Sequence, residues 1–284
     1  MDRFPDDLRI GVVLGGGGAR GVAALGILEV LVGAGLKPVA VAGTSMGALI
    51  GAFWAAGFTV DELKALATGT RWREVVDFAG PGGILRGQRF QRWLTDHLPA
   101  RFEDLDFPLV CTATDIDTGE LVRLDSGDLV SAVRATCAFP GAFVPVERDG
   151  RHLVDGGLKC TVPVSCLPAG VADYVVACDF QPPLNRPVVP SQTTNTLDWN
   201  RFWEALTFRR RYLAADILLK AVDILQTEVC RRHLADQPPD LLIAPPMPEV
   251  NIEDFRLLHE TIEQGAAAAR RALDAAPTPA PRCA

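Results

Sequence analysis

Two apolar strands within the first 57 residues each lead through a glycine-rich turn into an apolar helix. The first strand is followed by four glycines at 15–18, and the second, near 38–42, is followed by Gly43-Thr44-Ser45-Met46-Gly47. Strand, loop, helix, strand, turn and helix together form a βαβα unit, which requires a parallel sheet with helices packed on its faces. The sequence therefore predicts the α/β fold class with a central, mostly parallel sheet.

Composition limits the classes of function. The chain has 284 residues, of which 48% are hydrophobic and 22% charged, so it can bury a sizeable core. Its net charge is −7 and it contains no dense run of Lys and Arg, which argues against a nucleic-acid partner.

Cysteine usage and hydropathy predict where the protein works. The seven cysteines form no C-x-x-C pair and are odd in number, which favours a reducing compartment. The amino terminus lacks the cationic start and apolar run of a signal peptide, and no apolar stretch of about 18 residues is free of charges and breakers. We expect a cytoplasmic protein, with any membrane contact peripheral to the inner membrane face.

Further strands and helices follow the βαβα unit. Residues 107–124 predict two strands joined by a turn at Asp117-Thr118-Gly119, and Thr59 with Glu62 predicts a helix capping box. Residues 181–200 are rich in Pro, Asn and Thr, which predicts a long surface loop, either a lid or a flexible connection. The remaining predictions are helices at 198–235 and 251–274, a short strand near 241, and a disordered tail at 276–284.

The glycine loop Gly16-Gly17-Gly18-Ala19-Arg20-Gly21 follows a strand and opens a helix. Backbone N–H groups and a helix N-terminus at such a place attract a negative atom. The same letters satisfy the dinucleotide fingerprint G-x-G-x-x-G, which also requires an acidic residue at the end of the second strand. That strand ends in Gly43-Thr44-Ser45 without an acid, so dinucleotide binding is disfavoured.

Ser45 lies in a G-x-S-x-G sequence, which is typical of a nucleophile on a sharp strand-to-helix turn. The alternative is a serine that only caps the following helix. If the two strands are neighbours, both helix N-termini point into one crevice, and Ser45 faces an oxyanion hole made by the glycine loop.

A nucleophilic serine needs a base, and none of the four histidines is well placed for a triad. Asp155, in Asp155-Gly156-Gly157, follows a short apolar strand and is the better candidate, although Asp-Gly is also a common turn sequence. A carboxylate with its ordinary pKa of about 4 is a weak base. Burial raises that pKa, and direct contact with the hydroxyl offsets much of the mismatch. The histidines are His97, His152, His233 and His259.

The sequences "GGGARG", "GTSMG" and "DGG", in this order and spacing, resemble the patatin-like phospholipases. The bacterial branch similar to the catalytic domain of neuropathy target esterase matches best. The connecting sequences "GGILRGQRF", "CTATDIDTGELV", "AVRATCAFPGAFVPV" and "HLVDGGLKCTVPVS" are similar to that branch as well. The resemblance covers residues 8 to about 180 well and the carboxyl-terminal third loosely.

The resemblance implies a three-layer α/β/α fold in a single patatin-like domain at 8–275. It also implies a Ser-Asp dyad, with Ser45 as nucleophile and Asp155 as base, and the hydrolysis of fatty-acyl esters without a metal or other cofactor. The implied oxyanion hole consists of Gly16, Gly17 and Gly18 with the supporting Arg20, and the motif glycines are Gly21, Gly43, Gly47, Gly156 and Gly157.

One departure concerns the loop of the aspartate. The family usually has an asparagine five or six residues after it, where this chain has Cys160 and Thr161. We expect a thiol or hydroxyl to brace the loop less well, which lowers activity or alters the pocket.

Three functions stay open. The first is a phospholipase A or lysophospholipase acting on phospholipid, lysophospholipid or another fatty-acyl ester. The second is a general carboxylesterase or acyltransferase at the same site, and the third is a weakly active lipid-binding family member. A membrane-borne substrate predicts exposed apolar surface, with candidates at 51–58, 81–85 and 197–208. For 197–208 a helix that covers the core is the favoured alternative. The sequence indicates neither the preferred head group nor the oligomeric state.

Overall fold

A computed structural model describes residues 3–75, 85–181, 214–247, 249–252 and 254–279. Within these ranges one eight-stranded sheet has the strand order β5-β6-β3-β2-β1-β7-β8, with β4 paired to β3. Strands β3, β2, β1, β7 and β8 run parallel, whereas β4, β5 and β6 are antiparallel to their neighbours. The strands are β1 Ile10–Leu14, β2 Pro38–Thr44, β3 Leu109–Asp115, β4 Leu121–Leu124, β5 Val146–Arg148, β6 Arg151–Asp155, β7 Tyr174–Cys178 and β8 Leu241–Ile243.

Four of the described α-helices follow one another between β2 and β3, and the others lie between or after the remaining strands. The helices are α1 Ala23–Gly33, α2 Met46–Ala55, α3 Val60–Gly69, α4 Trp72–Val75, α5 Gln88–His97, α6 Leu129–Thr136, α7 Ala214–Asp236 and α8 Leu258–Ala275. Short 3₁₀ turns lie at Gly18–Val22, Phe102–Asp104, Gly156–Leu158 and Val164–Cys166.

Both faces of the sheet are buried. Successive side chains of a strand point to opposite faces, and those of β1 lie in two different hydrophobic clusters. In β1, Val12 and Leu14 join the larger hydrophobic cluster with residues of α1 and α2. Val13 joins a smaller cluster that Cys230 of α7 completes on the other face. Helices therefore cover the sheet on both sides, and the predicted three-layer α/β/α fold is confirmed.

The register of the central strands brings their carboxyl ends together. Leu14, the last residue of β1, pairs with Gly43, and Thr44, the last residue of β2, pairs with Thr112 of β3. The glycine loop after β1 and Ser45 after β2 consequently lie at the same edge of the sheet, as the sequence predicted.

Helix α8 crosses α1 with direct backbone contact. A Cβ atom on Gly26 would lie 1.9 Å from the carbonyl oxygen of Ile262, and one on Gly265 would lie 2.0 Å from that of Ala23. Glycine at both positions lets the two helix backbones touch, so a helix near the carboxyl end packs on the first helix of the chain.

Several local predictions are confirmed. Thr59 and Glu62 form a reciprocal capping box at the start of α3. The turn at Asp117-Thr118-Gly119 joins β3 to the antiparallel β4, and β8 is the predicted late strand. The six described cysteines are free. Other predictions fall wholly or partly outside the described residues. They are the loop at 181–200, the start of the helix at 198–235, the apolar segments at 81–85 and 197–208, and the end of the tail at 276–284.

Two predictions were wrong. The final helix begins at Leu258 rather than near 251, because Asn251 and Asp254 form a local turn in which the Asp254 side chain accepts the Asn251 N–H. The apolar stretch at 51–58 is not exposed surface, because Gly51–Ala55 is the buried second half of α2.

No helix in the described ranges is long and apolar enough to cross a membrane.

Candidate active site

Ser45 occupies a strained turn between β2 and α2. Its φ of 53° and ψ of −124° are a backbone conformation that residues other than glycine rarely adopt. The flanking glycines make room for this turn: a Cβ on Gly43 would lie 2.6 Å from the Ala48 nitrogen, and one on Gly47 would lie 2.1 Å from the Leu14 carbonyl oxygen. The geometry matches a nucleophile elbow.

The Ser45 side chain does not cap α2, although the residue stands at the N-cap position. It lies near enough to the Asp155 carboxyl to lower the pKa of that group. The backbone N–H of Ser45 donates to Thr136 Oγ1 at 2.8 Å. The capping alternative raised by the sequence is therefore wrong, because the hydroxyl makes no bond to the start of α2.

Asp155 is the last residue of β6 and is 3% exposed. Its Oδ1 accepts the N–H of Gly157 at 2.8 Å, and its carbonyl oxygen accepts the hydroxyl of Thr114 at 3.1 Å. Burial raises the pKa of the carboxyl to about 6, against the opposing effects of the hydrogen bonds from Ser45 and Gly157. A buried carboxylate in contact with a serine hydroxyl is suited to accept its proton.

The glycine loop lies directly against Ser45, because a Cβ on Gly16 would be 3.4 Å from the Ser45 Cβ. The N–H of Gly16 donates to the Thr161 carbonyl oxygen at 2.9 Å. Within the described residues, the N–H groups of Gly17 and Gly18 have no acceptor. Of the three predicted oxyanion donors, Gly16 is thus already engaged, and two N–H groups stay available.

Arg20 is buried beneath the glycine loop with 1% of its surface exposed. Its Nη2 forms an ion pair with Asp223 of α7 at 3.1 Å, and its charge lowers the pKa of the buried Asp179, which desolvation raises. Nε and Nη1 have no hydrogen-bond partner in the part of the chain that the structure describes. Arg20 therefore links the loop to α7 and makes no hydrogen bond to Ser45.

The remaining motif glycines permit close backbone approach. A Cβ on Gly156 would lie 2.3 Å from Thr112 Oγ1, and one on Gly21 would lie 2.8 Å from the Met46 Cβ. A Cβ on Gly157 would lie 2.9 Å from Gln226 Nε2 of α7. Helix α7 consequently packs over the aspartate loop.

The structure places the four histidines away from the Ser45 hydroxyl. His152 is exposed and hydrogen-bonds Asp117 at 2.7 Å, while His97 packs on Trp93. His233 lies on α7, and His259 lines a groove of about 620 Å³ between α1, α3 and α8 that contains neither Ser45 nor Asp155. Among the described residues, no three His, Cys, Asp or Glu side chains are grouped to hold a metal.

Sequence reasoning missed four threonines that surround the dyad: Thr44, Thr112, Thr114 and Thr136. All four are buried. Thr44, Thr112 and Thr114 lie in strands, where threonine is common, and Thr136 ends α6, so no sequence signal marked these four as hydrogen-bonding partners of the site.

At the position of the expected asparagine, Cys160 is buried and its thiol donates to the Val162 carbonyl oxygen at 3.6 Å. The Thr161 hydroxyl donates to the Gly157 carbonyl oxygen at 3.4 Å. These two side chains therefore bond within the aspartate loop itself.

Comparison with known proteins identifies the class. Residues 12–167 match the patatin-like phospholipase family, and the chain belongs to that family. An NTE family protein of Mycobacterium tuberculosis is 28% identical over 331 residues, which cover 94% of this chain and 92% of that protein. Lysophospholipase nte1 of Emericella nidulans is 32% identical over 178 residues, which cover 60% of this chain and 12% of that protein.

A solved structure shares the fold. The crystal structure of VipD from Legionella pneumophila superposes with a TM-score of 0.57 at 15% identity, covering 95% of this chain and 67% of that chain. At this identity the likeness concerns the fold alone.

Proposed function

We propose that the chain is a serine lipid-acyl hydrolase in which Ser45 is the nucleophile and Asp155 the general base. The observation that carries this proposal is the strained turn that presents Ser45 beside the buried carboxyl of Asp155, whose pKa the Ser45 hydroxyl lowers. The adjacent glycine loop supports it.

The first half of the reaction forms an acyl-enzyme. Ser45 Oγ attacks the ester carbonyl carbon while Asp155 accepts its proton. The N–H groups of Gly17 and Gly18 stabilise the oxyanion of the tetrahedral intermediate, and Gly16 holds the loop through its bond to Thr161. The intermediate collapses, and the leaving alcohol takes the proton from Asp155.

The second half releases the fatty acid. A water molecule gives its proton to Asp155 and attacks the acyl carbonyl, and the resulting intermediate expels Ser45 Oγ, which regains a proton from Asp155. A carboxyl with a pKa of about 6 is deprotonated near neutral pH and still basic enough for this cycle.

The substrate class follows from the family and from a relative named as a lysophospholipase. We extend to this chain the cleavage of fatty-acyl esters of phospholipids or lysophospholipids. Because a membrane or micelle surface supplies such lipids, peripheral contact with the inner membrane face belongs to the same proposal. A general carboxylesterase or acyltransferase would use the same groups, so rates across esters of increasing acyl length distinguish these activities.

Covalent labelling with a fluorophosphonate, read by peptide mass mapping, tests the dyad. We expect label on Ser45 in the wild type, none at this position in Ser45→Ala and little in Asp155→Asn. Asp115→Asn is the matched control, because Asp115 is also buried but contacts Asp117 and Arg151 rather than Ser45. Folded wild type without label on Ser45 would contradict the proposal.

A further inference from the structure

Two threonine hydroxyls form a directed hydrogen-bond chain beside the dyad. Thr44 Oγ1 lies 2.6 Å from Thr112 Oγ1 and 2.9 Å from the carbonyl oxygen of Cys160. A carbonyl oxygen only accepts, so the single hydroxyl hydrogen of Thr44 points to Cys160. Thr112 must then donate to Thr44, and the chain runs from Thr112 through Thr44 to Cys160.

This hydroxyl chain joins the two halves of the site. Thr44 is the residue before Ser45 and is the cross-strand partner of Thr112. Cys160 ends the loop that begins at Asp155. All the side chains concerned are buried, with Thr44 and Thr112 fully inaccessible, so bulk water does not compete for these bonds.

The loop is compact enough to transmit the restraint. The N–H of Cys160 donates to the Gly156 carbonyl oxygen at 2.8 Å, which ties the end of the loop to its beginning. Thr112 Oγ1 also fills the place where a Gly156 side chain would stand. Thr112 therefore touches the residue after Asp155 directly and holds Cys160 through Thr44.

We propose that Thr44 and Thr112 are positioning residues. Their hydroxyl chain holds the loop of Asp155 in the position where its carboxylate can reach the Ser45 hydroxyl. The catalytic consequence rests on the proposed function. The acceptor in this brace is the backbone carbonyl of residue 160, so the brace does not depend on which side chain that residue carries. A buried thiol is accommodated there without loss of the restraint.

The hydroxyl chain also affects the glycine loop. The carbonyl oxygen of Thr161, the residue after Cys160, accepts a hydrogen bond from the N–H of Gly16. Displacing Cys160 consequently moves the partner of Gly16 as well as the carboxylate. Loss of the hydroxyl chain should reduce the rate of the chemical step with little change in substrate binding, because neither threonine is proposed to contact substrate.

The test uses Thr44→Val and Thr112→Val, which keep the side-chain shape, and Thr44→Ser and Thr112→Ser, which keep the hydroxyl. Thr261→Val is the matched control, because Thr261 is equally buried and donates to the Leu257 carbonyl oxygen at 2.7 Å within α8. The measurements are the fluorophosphonate labelling rate of Ser45, kcat and KM on a fatty-acyl ester, and hydrogen exchange of the 155–161 peptide.

We expect Thr44→Val to lower kcat and the labelling rate by about 10- to 100-fold with KM nearly unchanged, as displacement of a catalytic group by about 1 Å does. Thr112→Val keeps the bond from Thr44 to Cys160 and should lower both rates less. The serine variants should recover most of the wild-type rate, and the 155–161 peptide of Thr44→Val should exchange at least about tenfold faster. Thr261→Val should alter stability without either effect.

Equal labelling and equal exchange in wild type and Thr44→Val would overturn the inference and leave the proposed function standing. Absence of label on wild-type Ser45 would instead contradict the proposed function. Hydrogen exchange would then still test the brace by itself. Should Thr44→Val fail to fold, Thr112→Val decides, because it removes the donor to Thr44 and leaves the bond from Thr44 to Cys160. A smaller loss in the same direction supports the inference, and wild-type labelling and exchange contradict it.

Discussion

Thr136, at the end of α6, accepts the backbone N–H of the strained Ser45 through its Oγ1 at 2.8 Å. This bond ties the turn after β2 to a helix about 90 residues later in the chain. The φ of 53° at Ser45 is therefore maintained by tertiary contacts and does not depend on its own glycines alone.

Replacing Thr136 by Val should leave the Ser45 N–H without a partner. We expect the free energy of unfolding to fall by about 1–3 kcal/mol, which is typical of an unsatisfied buried donor. Chemical denaturation measures this change, and Thr136→Ser, which keeps the acceptor, should stay close to wild type. An unchanged denaturation midpoint in Thr136→Val would show that the turn needs no external support.

The pH dependence of activity should follow the Asp155 carboxyl. Burial raises its pKa to about 6, and in the proposed mechanism the active form is the carboxylate. We expect kcat/KM on a fatty-acyl ester to fall about tenfold per pH unit below that value and to level off above it. A profile with its acidic limb near pH 4 would show that Asp155 is solvated like an ordinary carboxyl.

The same raised pKa makes Asp155 unfavourable for folding at neutral pH. The folded protein holds this proton more tightly than the unfolded chain does, so the contribution to stability decreases as the pH rises from about 4 to about 6. Asp155→Asn keeps an oxygen for the Gly157 N–H and should raise the free energy of unfolding at pH 7.5 by about 1–3 kcal/mol. Denaturation at several pH values should show this difference vanishing near pH 4, and a difference independent of pH would contradict the prediction.

Gly156→Ala should disrupt the site by steric overlap. Its Cβ would lie 2.3 Å from Thr112 Oγ1 and 2.6 Å from the Thr112 carbonyl oxygen, on a strand that cannot easily retreat. We expect a loss of at least about 3 kcal/mol, measured by thermal or chemical unfolding.

Gly33→Ala provides the control for this substitution, because Gly33 ends α1 with no atom within 4 Å of the added methyl group. It should change stability by less than about 1 kcal/mol, in the stabilising direction. Equal effects of the two substitutions would refute the steric explanation.

The sequence predicted those features that depend on local pattern and on one topological rule. Strand ends followed by glycine-rich turns placed Ser45 and the glycine loop at the same edge, because parallel strands present their carboxyl ends together. The capping box at Thr59 was predictable because both partners lie within one helical turn. The pairing of Ser45 with Asp155 was predicted from motif order, and it stays a prediction that the labelling experiment tests.

The hydrogen bonds that support these residues could not be predicted. Thr44 and Thr112 are 68 positions apart and meet only because of the register between β2 and β3. The engagement of the Gly16 N–H depends on Thr161, a residue of another loop, so counting glycines overestimated the free donors. Such long-range polar contacts are determined by tertiary packing and leave no periodic trace in the sequence.

The contact between α1 and α8 can form only after α8 has been synthesised. During synthesis α1 emerges early, but the backbone surface around Gly26 meets its partner only after Gly265 has been added. Contacts between residues so distant in sequence form late and slowly. The nascent protein therefore carries this surface of α1 uncovered until Gly265 has been added, a period in which binding by a chaperone would protect it from aggregation.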